Sequence, residues 1–341
     1  MSALSTLTQR IKSQALAMGF DAVGIVQVPP ANPQSTVLPG HKNDDLNLPV
    51  TQRLWKQLTH WLEQRFHGNM TWMERDPQRR SDPARVLQGC QSMIVVGMNY
   101  YTDSMADESQ QAGRIARYAW GKDYHDVMLQ RLKQLEQYLH SQIPEIQTRR
   151  YVDTGPIMEK AWAQEAGIGW IGKHTNVVST SYGSWLLLGE ILTTVALEPD
   201  EPETDLCGSC SLCIQACPTG AIVEPYQLDA ERCISYLTIE HRGDATDIPP
   251  DVRKKMGNRI FGCDDCLDIC PFNINAQPTV EPSFQPSAWT LHPRLSTLSA
   301  LTQEEFTTMT KGSPLRRAKH QGFQRNVAIA LNNQAQPSSS T

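Results

Sequence analysis

The sequence predicts a mixed protein, α+β or α/β, in three parts: a layered α/β domain over 1–200, a compact cysteine-rich module over 201–280 and a short helical segment over 281–341. Three observations carry that prediction. Helical and strand periodicities alternate through the first part, and layered α/β domains are built that way. Eight of the nine cysteines fall between Cys207 and Cys270. From Phe306 onward the chain holds Lys311, Arg316, Arg317, Lys319 and Arg325 and no acidic residue, so a basic end follows an acidic body.

Leu4, Leu7, Ile11, Leu16 and Met18 fall near helical spacing, and Asp21 to Val26 then reads as a buried strand. Pro29 to Pro49 is rich in Pro, Asn, Asp and Gly and reads as a long surface loop. Trp55 to Phe66 returns to helix, Ser92 to Met98 is an apolar strand, and Val127, Leu132, Leu135 and Leu139 stripe a further helix. Trp185 to Leu197 is a third strand region, and Glu198 to Asp205 is an acidic, proline-containing linker. After Pro286, Leu298 to Met309 and Leu315 to Leu331 read as helices and Gln334 to Thr341 as a polar, frayed tail.

The 341 residues carry 40% hydrophobic and 20% charged side chains, which excludes wholesale disorder and a membrane composition. The longest apolar run, Trp185 to Ala196, is interrupted by Glu190. The N-terminus shows neither a basic region followed by an apolar one nor paired arginines, so the expectation is a cytoplasmic protein with no membrane contact. A net charge of -5 argues against coating nucleic acid by bulk charge and leaves a local basic face open.

Cytosolic thiols are kept reduced, so this cysteine density points to metal or redox chemistry. Cys207, Cys210, Cys213 and Cys217-Pro218 have the spacing of a bacterial ferredoxin half-site, in which three thiolates hold one [4Fe-4S] cluster and the fourth turns to the other. The second run, Cys263, Cys266 and Cys270-Pro271, lacks a leading cysteine because Ile260 stands there. Cys233 supplies the eighth thiolate. The expected sets are Cys207, Cys210, Cys213 and Cys270 for one cluster and Cys217, Cys233, Cys263 and Cys266 for the other. Structural zinc also uses paired Cys-x2-Cys, but it needs no crossed pattern. Cys90 lies outside the module and reads as a small buried hydrophobe.

An electron relay implies an acceptor. No G-x-G-x-x-G follows a strand, so a nicotinamide cofactor is unsupported, and no D-x-H-x-x-G occurs, so a bound corrinoid would lack a protein histidine as lower ligand. His125 alone reads as a packing or surface residue. Asp153 follows Tyr151-Val152 and precedes Thr154-Gly155-Pro156. It reads equally as a general acid at a strand end and as the cap of a helix starting near Pro156.

The segments Asp153-Thr154-Gly155-Pro156, Gly169 to Thr175, Arg117 to His125 and Cys233 to His241, with the two cysteine runs, resemble the epoxyqueuosine reductase family, and the likeness runs from Asp21 to Asn326. The resemblance implies a cobalamin-dependent enzyme with two [4Fe-4S] clusters that reduces epoxyqueuosine to queuosine at the wobble position of tRNA, the last step in making queuosine. It implies a cobalamin-binding N-terminal domain, an abbreviated HEAT-like helical end, a monomer and an external low-potential electron donor. Asp153 matches the proton donor, and burial against an apolar corrin face is expected to raise its pKa. Lys173 and His174 either bind the cobalamin tail or form a solvated pair. Ser235 and Asp264 would bring the iron–sulfur module against the corrin, with Arg80 a further contact. Tyr236 and Thr238 are expected tRNA contacts, and Arg316, Arg317 and Lys319 would meet anticodon-arm phosphates. A corrinoid reductive dehalogenase acting on a small molecule and a non-catalytic electron-transfer subunit are the rivals.

Overall fold

The computed structural model describes residues 3–30, 48–109 and 111–335. The first domain is a four-stranded sheet between two helical layers. In chain order its elements are α1 (Ala3–Ala17), β1 (Ala22–Gln27), α2 (Val50–Glu63), α3 (Pro77–Ser81), β2 (Ser92–Asn99), β3 (Arg114–Ile115), α4 (Tyr124–Gln142), β4 (Thr148–Tyr151), α5 (Glu159–Glu165), β5 (Trp170–Ile171), β6 (Val177–Val178) and β7 (Leu186–Thr193). The sheet order is β1-β2-β7-β4 and every pairing in it is antiparallel. Helices and strands thus alternate in sequence while the strands reverse direction, an α+β connectivity.

The layering follows from strand alternation. Ile94, Val96 and Met98 of β2 face one way, onto Ile11 and Ala15 of α1 and Met128, Leu132, Leu135 and Leu139 of α4. Met93 and Val95 face the other way, onto Leu54 of α2 and Ala161, Trp162 and Ala163 of α5. A strand covered on both faces needs apolar residues at every position, and all of β2 is buried. Gly24 in β1 is required by close approach, because a Cβ there would lie 1.9 Å from the Ala166 carbonyl oxygen. Cys90 packs in the second of these cores, 4% exposed, as its composition suggested.

The cysteine module contains α6 (Leu212–Ala216), β8 (Ile222–Glu224), β9 (Gln227–Leu228), α7 (Ile234–Ile239), α8 (Pro250–Met256), β10 (Arg259–Phe261) and α9 (Asp265–Asp268). The helical end adds α10 (Ala288–Leu291), α11 (Leu295–Ser299), α12 (Gln303–Met309) and α13 (Lys319–Ala335).

Three local readings change. The segment 198–205 is strapped to the first domain, because Asp200 takes the Ile25 amide at 2.7 Å and Lys12 Nζ at 2.5 Å. Leu298 to Met309 is two helices, because Thr302 and Glu305 form a reciprocal capping box that starts α12 afresh. Leu315 lies in a 3-10 turn, Pro314–Ala318, ahead of α13, whose first residue, Lys319, has φ +57. The loop expected at 29–49 lies largely outside the described residues, as does most of the expected tail.

The helical end shares one core with the middle of the chain: Phe323 and Val327 pack with Ile115, Trp120, Ile260 and Phe261. Asn326, fully buried, donates to the carbonyls of Thr238 at 2.8 Å and Ile260 at 2.9 Å. Arg325, counted among the basic residues, is spent inside the protein on the carbonyls of Leu237, His241 and Gly243. Among the described residues no helix is long and apolar enough to cross a membrane.

Candidate active site and cluster module

Asp153 stands just past β4 at φ +59, and the Thr154 amide bonds the Val152 carbonyl at 2.6 Å across it. A three-residue turn with φ positive at its centre is strained for an aspartate, and such strain collects at functional sites. Glu159 at the start of α5 holds the turn by accepting the Asp153 amide at 2.5 Å. The helix-cap reading falls: α5 begins at Glu159 after Met158, and no side chain caps it.

The N-terminus of α4 brings the partners. Asp123 caps that helix and takes His125 Nδ1 at 2.7 Å. Tyr124 donates its hydroxyl to Asp153 Oδ2 at 2.7 Å, and His125 Nε2 lies 3.6 Å from the same oxygen. Desolvation pulls the His125 imidazole down, but the hydrogen bonds and charges of Asp123 and Asp153 outweigh it and hold its pKa at about 9. Desolvation pushes Asp153 up, yet the bonds from His125 and Tyr124 and the charges of His125 and Lys160 leave it below the ordinary carboxylate value. The expected upward shift of Asp153 is therefore absent from this structure, and the proton rests on His125. The family resemblance implied an apolar face beside Asp153, and the sequence gave no sign that α4 would aim a hydroxyl and an imidazole at it.

Behind the turn, Glu190 of β7 is 1% exposed. Desolvation, then the charge of Glu159, pushes its carboxyl well up; Glu159 is pushed up by desolvation and then by Asp153. Two carboxyls so placed cannot both ionise.

Asp153 is 61% exposed while Tyr124 beside it is buried, so its carboxyl opens to solvent from a buried base. Groups from distant segments share its electrostatic surroundings. The Tyr118 hydroxyl is pushed up by burial and then by the charges of Asp153, Asp264, Glu240 and Asp123. Asp264 accepts the Arg117 amide at 2.7 Å, and desolvation raises its carboxyl to about 7. Lys160 bonds Asn176 Oδ1 at 2.6 Å and senses Asp153, Cys266 and Cys233. Arg317 grips Glu240 with two bonds of 2.6 and 2.8 Å and senses Asp153 and Tyr124.

The eight thiols of the module sort by their mutual electrostatics. Burial and then Cys207, Cys270 and Cys210 raise the Cys213 thiol. Burial and then Cys233, Cys263, Asp264 and Cys217 raise that of Cys266. Cys213 thus has Cys207, Cys210 and Cys270 as its thiol neighbours, and Cys266 has Cys217, Cys233 and Cys263.

Other expected site residues are placed differently. Lys173 is no solvated residue: its Nζ donates to the carbonyls of Gly208 at 2.5 Å and Cys210 at 2.8 Å. His174 is buried between the Asn176 amide and Ser184 Oγ, and desolvation followed by the charge of Lys160 lowers its pKa to about 4. Ser235 and Tyr236 turn their amides to the Cys233 thiol. Thr238, read as a tRNA contact, is fully buried, accepting the Gly262 amide and donating to Ile234, so it cannot meet a nucleotide. Tyr236 is 7% exposed and its hydroxyl accepts the Asn69 amide, which removes it from the surface as well. Arg80 stacks its guanidinium 4.9 Å over Trp72. Arg316, Arg317 and Lys319 are exposed.

Residues 80–154 match the family described as epoxyqueuosine reductase QueG, DUF1730, and residues 206–273 match the 4Fe-4S double cluster binding domain. The epoxyqueuosine reductase of Prochlorococcus marinus (strain NATL2A) is 40% identical over 322 residues, 94% of this chain and 96% of that one. This chain belongs to the epoxyqueuosine reductase family. The Escherichia coli (strain K12) reductase is likewise 40% identical, over 97% of this chain and 82% of its own. A crystal structure of an epoxyqueuosine reductase with an epoxyqueuosine-modified tRNA-Tyr stem loop superposes with a TM-score of 0.83 at 30% identity, covering 98% of this chain and 84% of that one. The Bacillus subtilis reductase, solved with its catalytic aspartate loop swung out of the active site, superposes with a TM-score of 0.82 at 29% identity, covering 98% and 83%.

Proposed function

We propose that this protein reduces epoxyqueuosine in tRNA to queuosine, in the cytosol, as a monomer supplied by an external low-potential electron donor. The observation that carries the reading is the Asp153–His125–Tyr124 constellation, in a chain of this family that also carries the eight-cysteine module. It supports a stored proton working together with an electron relay, which is what the chemistry requires: opening the epoxide to the alkene consumes two electrons and two protons and releases the oxygen as water.

Two [4Fe-4S] clusters are held by the two cysteine sets. Cobalamin would bind beside Asp153 and, bound and reduced, would supply the two electrons at the substrate. The residues around Asp153 would hold such a group without offering it an imidazole, since His125 is committed to Asp123 and Asp153 and His174 is buried on Asn176 and Ser184. Asp264 and Ser235 carry the cluster module to the cofactor. Lys173 serves the cluster loop instead of the cofactor tail.

Asp153 faces the substrate and passes the proton to the leaving oxygen; His125 stores that proton. Tyr124 fixes the Asp153 carboxyl, and Glu159 keeps its backbone in the strained turn. The relative caught with its aspartate loop swung out supports a turn that can be released. Arg316, Arg317 and Lys319, exposed on the helical end, meet tRNA phosphates, and that end is an abbreviated HEAT-like unit. The small-molecule alternative has no support beside relatives that are epoxyqueuosine reductases along nearly their whole length.

The deciding experiment is nucleoside analysis of epoxyqueuosine-containing tRNA incubated anaerobically with the reconstituted protein, cobalamin and a reductant. Queuosine should accumulate in proportion to enzyme. Unchanged tRNA, with cofactors loaded, would refute the reading.

A further inference from the structure

The segment Trp170 to Thr175 is bound to the cluster module on two sides. Trp170 is fully buried in β5, packed edge-on against Phe272 at 4.7 Å, and its indole N–H points at Cys207 Sγ, 3.4 Å away. Lys173, three residues on, reaches the carbonyls of Gly208 and Cys210 in the loop between those two cysteines. The turn carrying both is fixed by its own bonds, Thr175 amide to Gly172 carbonyl and Gly172 amide to Asn176 carbonyl. The Tyr226 amide closes on the Lys173 carbonyl from the module side. Amides of the module itself reach both cysteine sets, from Ile214 to Cys213 and from Ala221, 3.2 Å from Cys217 Sγ, but the indole donor and the ammonium serve the first set.

A [4Fe-4S] cluster gains one negative charge on reduction. A hydrogen bond to a ligand sulfur and a nearby ammonium both favour the more negative state, so both raise the potential. We propose that Trp170 and Lys173 act as a tuning clamp from the first domain that raises the reduction potential of the cluster held by Cys207, Cys210, Cys213 and Cys270. The role is electrostatic and local: the clamp takes no part in proton delivery, and it eases the one-electron reduction of that cluster by the external donor. The inference rests on these four cysteines sharing a cluster.

The test is a potentiometric titration of the reconstituted protein, followed by paramagnetic resonance, with iron content measured for every variant. Trp170→Phe keeps the ring packing and removes the donor. At about eight irons per chain, one of the two midpoints should move to more negative potential and the other stay in place. Lys173→Met should move the same midpoint in the same direction, and Lys173→Arg should restore most of it. Two unmoved midpoints, or two that move together, would overturn the clamp. If Trp170→Phe loses iron, benzothienylalanine at 170, which keeps the shape and replaces N–H by sulfur, decides in its place. Cys207→Ser checks the underlying reading separately: full iron with unchanged spectra there would refute the cysteine assignment, whatever the tuning variants do.

Discussion

The first domain and the cysteine module are held together by different physics. Around β2 the chain buries two apolar layers, and the side chains of α1, α4 and α5 fill them without help from any cofactor. Between Cys207 and Cys217 only Cys213 is buried, while Leu206, Leu212, Tyr226 and Ile269 nearby stand 42 to 48% exposed. A segment with so little apolar burial leans on its inorganic centres, because ligand binding is then folding energy. In the proposed reaction this contrast divides the tasks: the rigid layers would hold the proton chemistry at Asp153, and the metal-dependent module would relay the electrons.

The largest expected effect would break that contrast. Iron removal by an anaerobic chelator should expose the amides of residues 205–217 to hydrogen exchange while those of β2 stay protected. Equal loss of protection in both regions would show that the module and the layers stand or fall together.

Next in size is Asp153→Asn, which keeps the shape and cannot pass the proton. Turnover should fall by roughly a hundredfold to ten-thousandfold, the range typical of a positioned acid, with iron content and cobalamin binding unchanged. Full activity with cofactors in place would remove Asp153 from the chemistry.

His125 sharpens the account of where the proton is kept. Because its pKa is held at about 9, turnover should be sustained to alkaline pH and fall as pH rises through that value. The same raised pKa makes the charged pairing with Asp123 and Asp153 stabilise the fold fully below the unfolded value of about 6.5. That contribution is lost as pH rises through about 9. In His125→Gln the alkaline limb should disappear from the pH profile, with turnover lowered at every pH. A limb that persists in this variant would belong to another group.

Smaller still is charge reversal at Arg316 and Lys319. It should weaken tRNA binding and reduce the slope of log affinity against log salt by about one for each phosphate that is no longer neutralised. Unchanged binding would move the tRNA surface elsewhere. The smallest effect is expected from Glu190→Gln, since a carboxyl held protonated is mimicked by a neutral amide. Thermal stability and turnover near neutral pH should stay close to those of the parent, whereas loss of either would show that Glu190 works ionised.

The sequence by itself determined what is periodic or contiguous. Alternating apolar stripes placed the helices and strands of the first domain, and cysteine spacing with Cys233 as the eighth thiolate predicted two sets of four ligands. Cys90 was legible as core, because one cysteine without partners has only packing to do. The tertiary structure decided whatever depends on separate segments meeting. His125 and Tyr124 become partners of Asp153 only when the start of α4 is laid beside the end of β4, and that contact reverses the expected direction of the Asp153 pKa. Thr238 and Tyr236 follow Cys233 closely in sequence, yet α7 turns both into the interior. Lys173 read equally as a binder of the cobalamin tail and as a solvated residue, and only the fold shows its carbonyl partners in the 207–210 loop. A pKa, a burial and a hydrogen bond each belong to a pair of groups, and such pairs exist only in the folded chain.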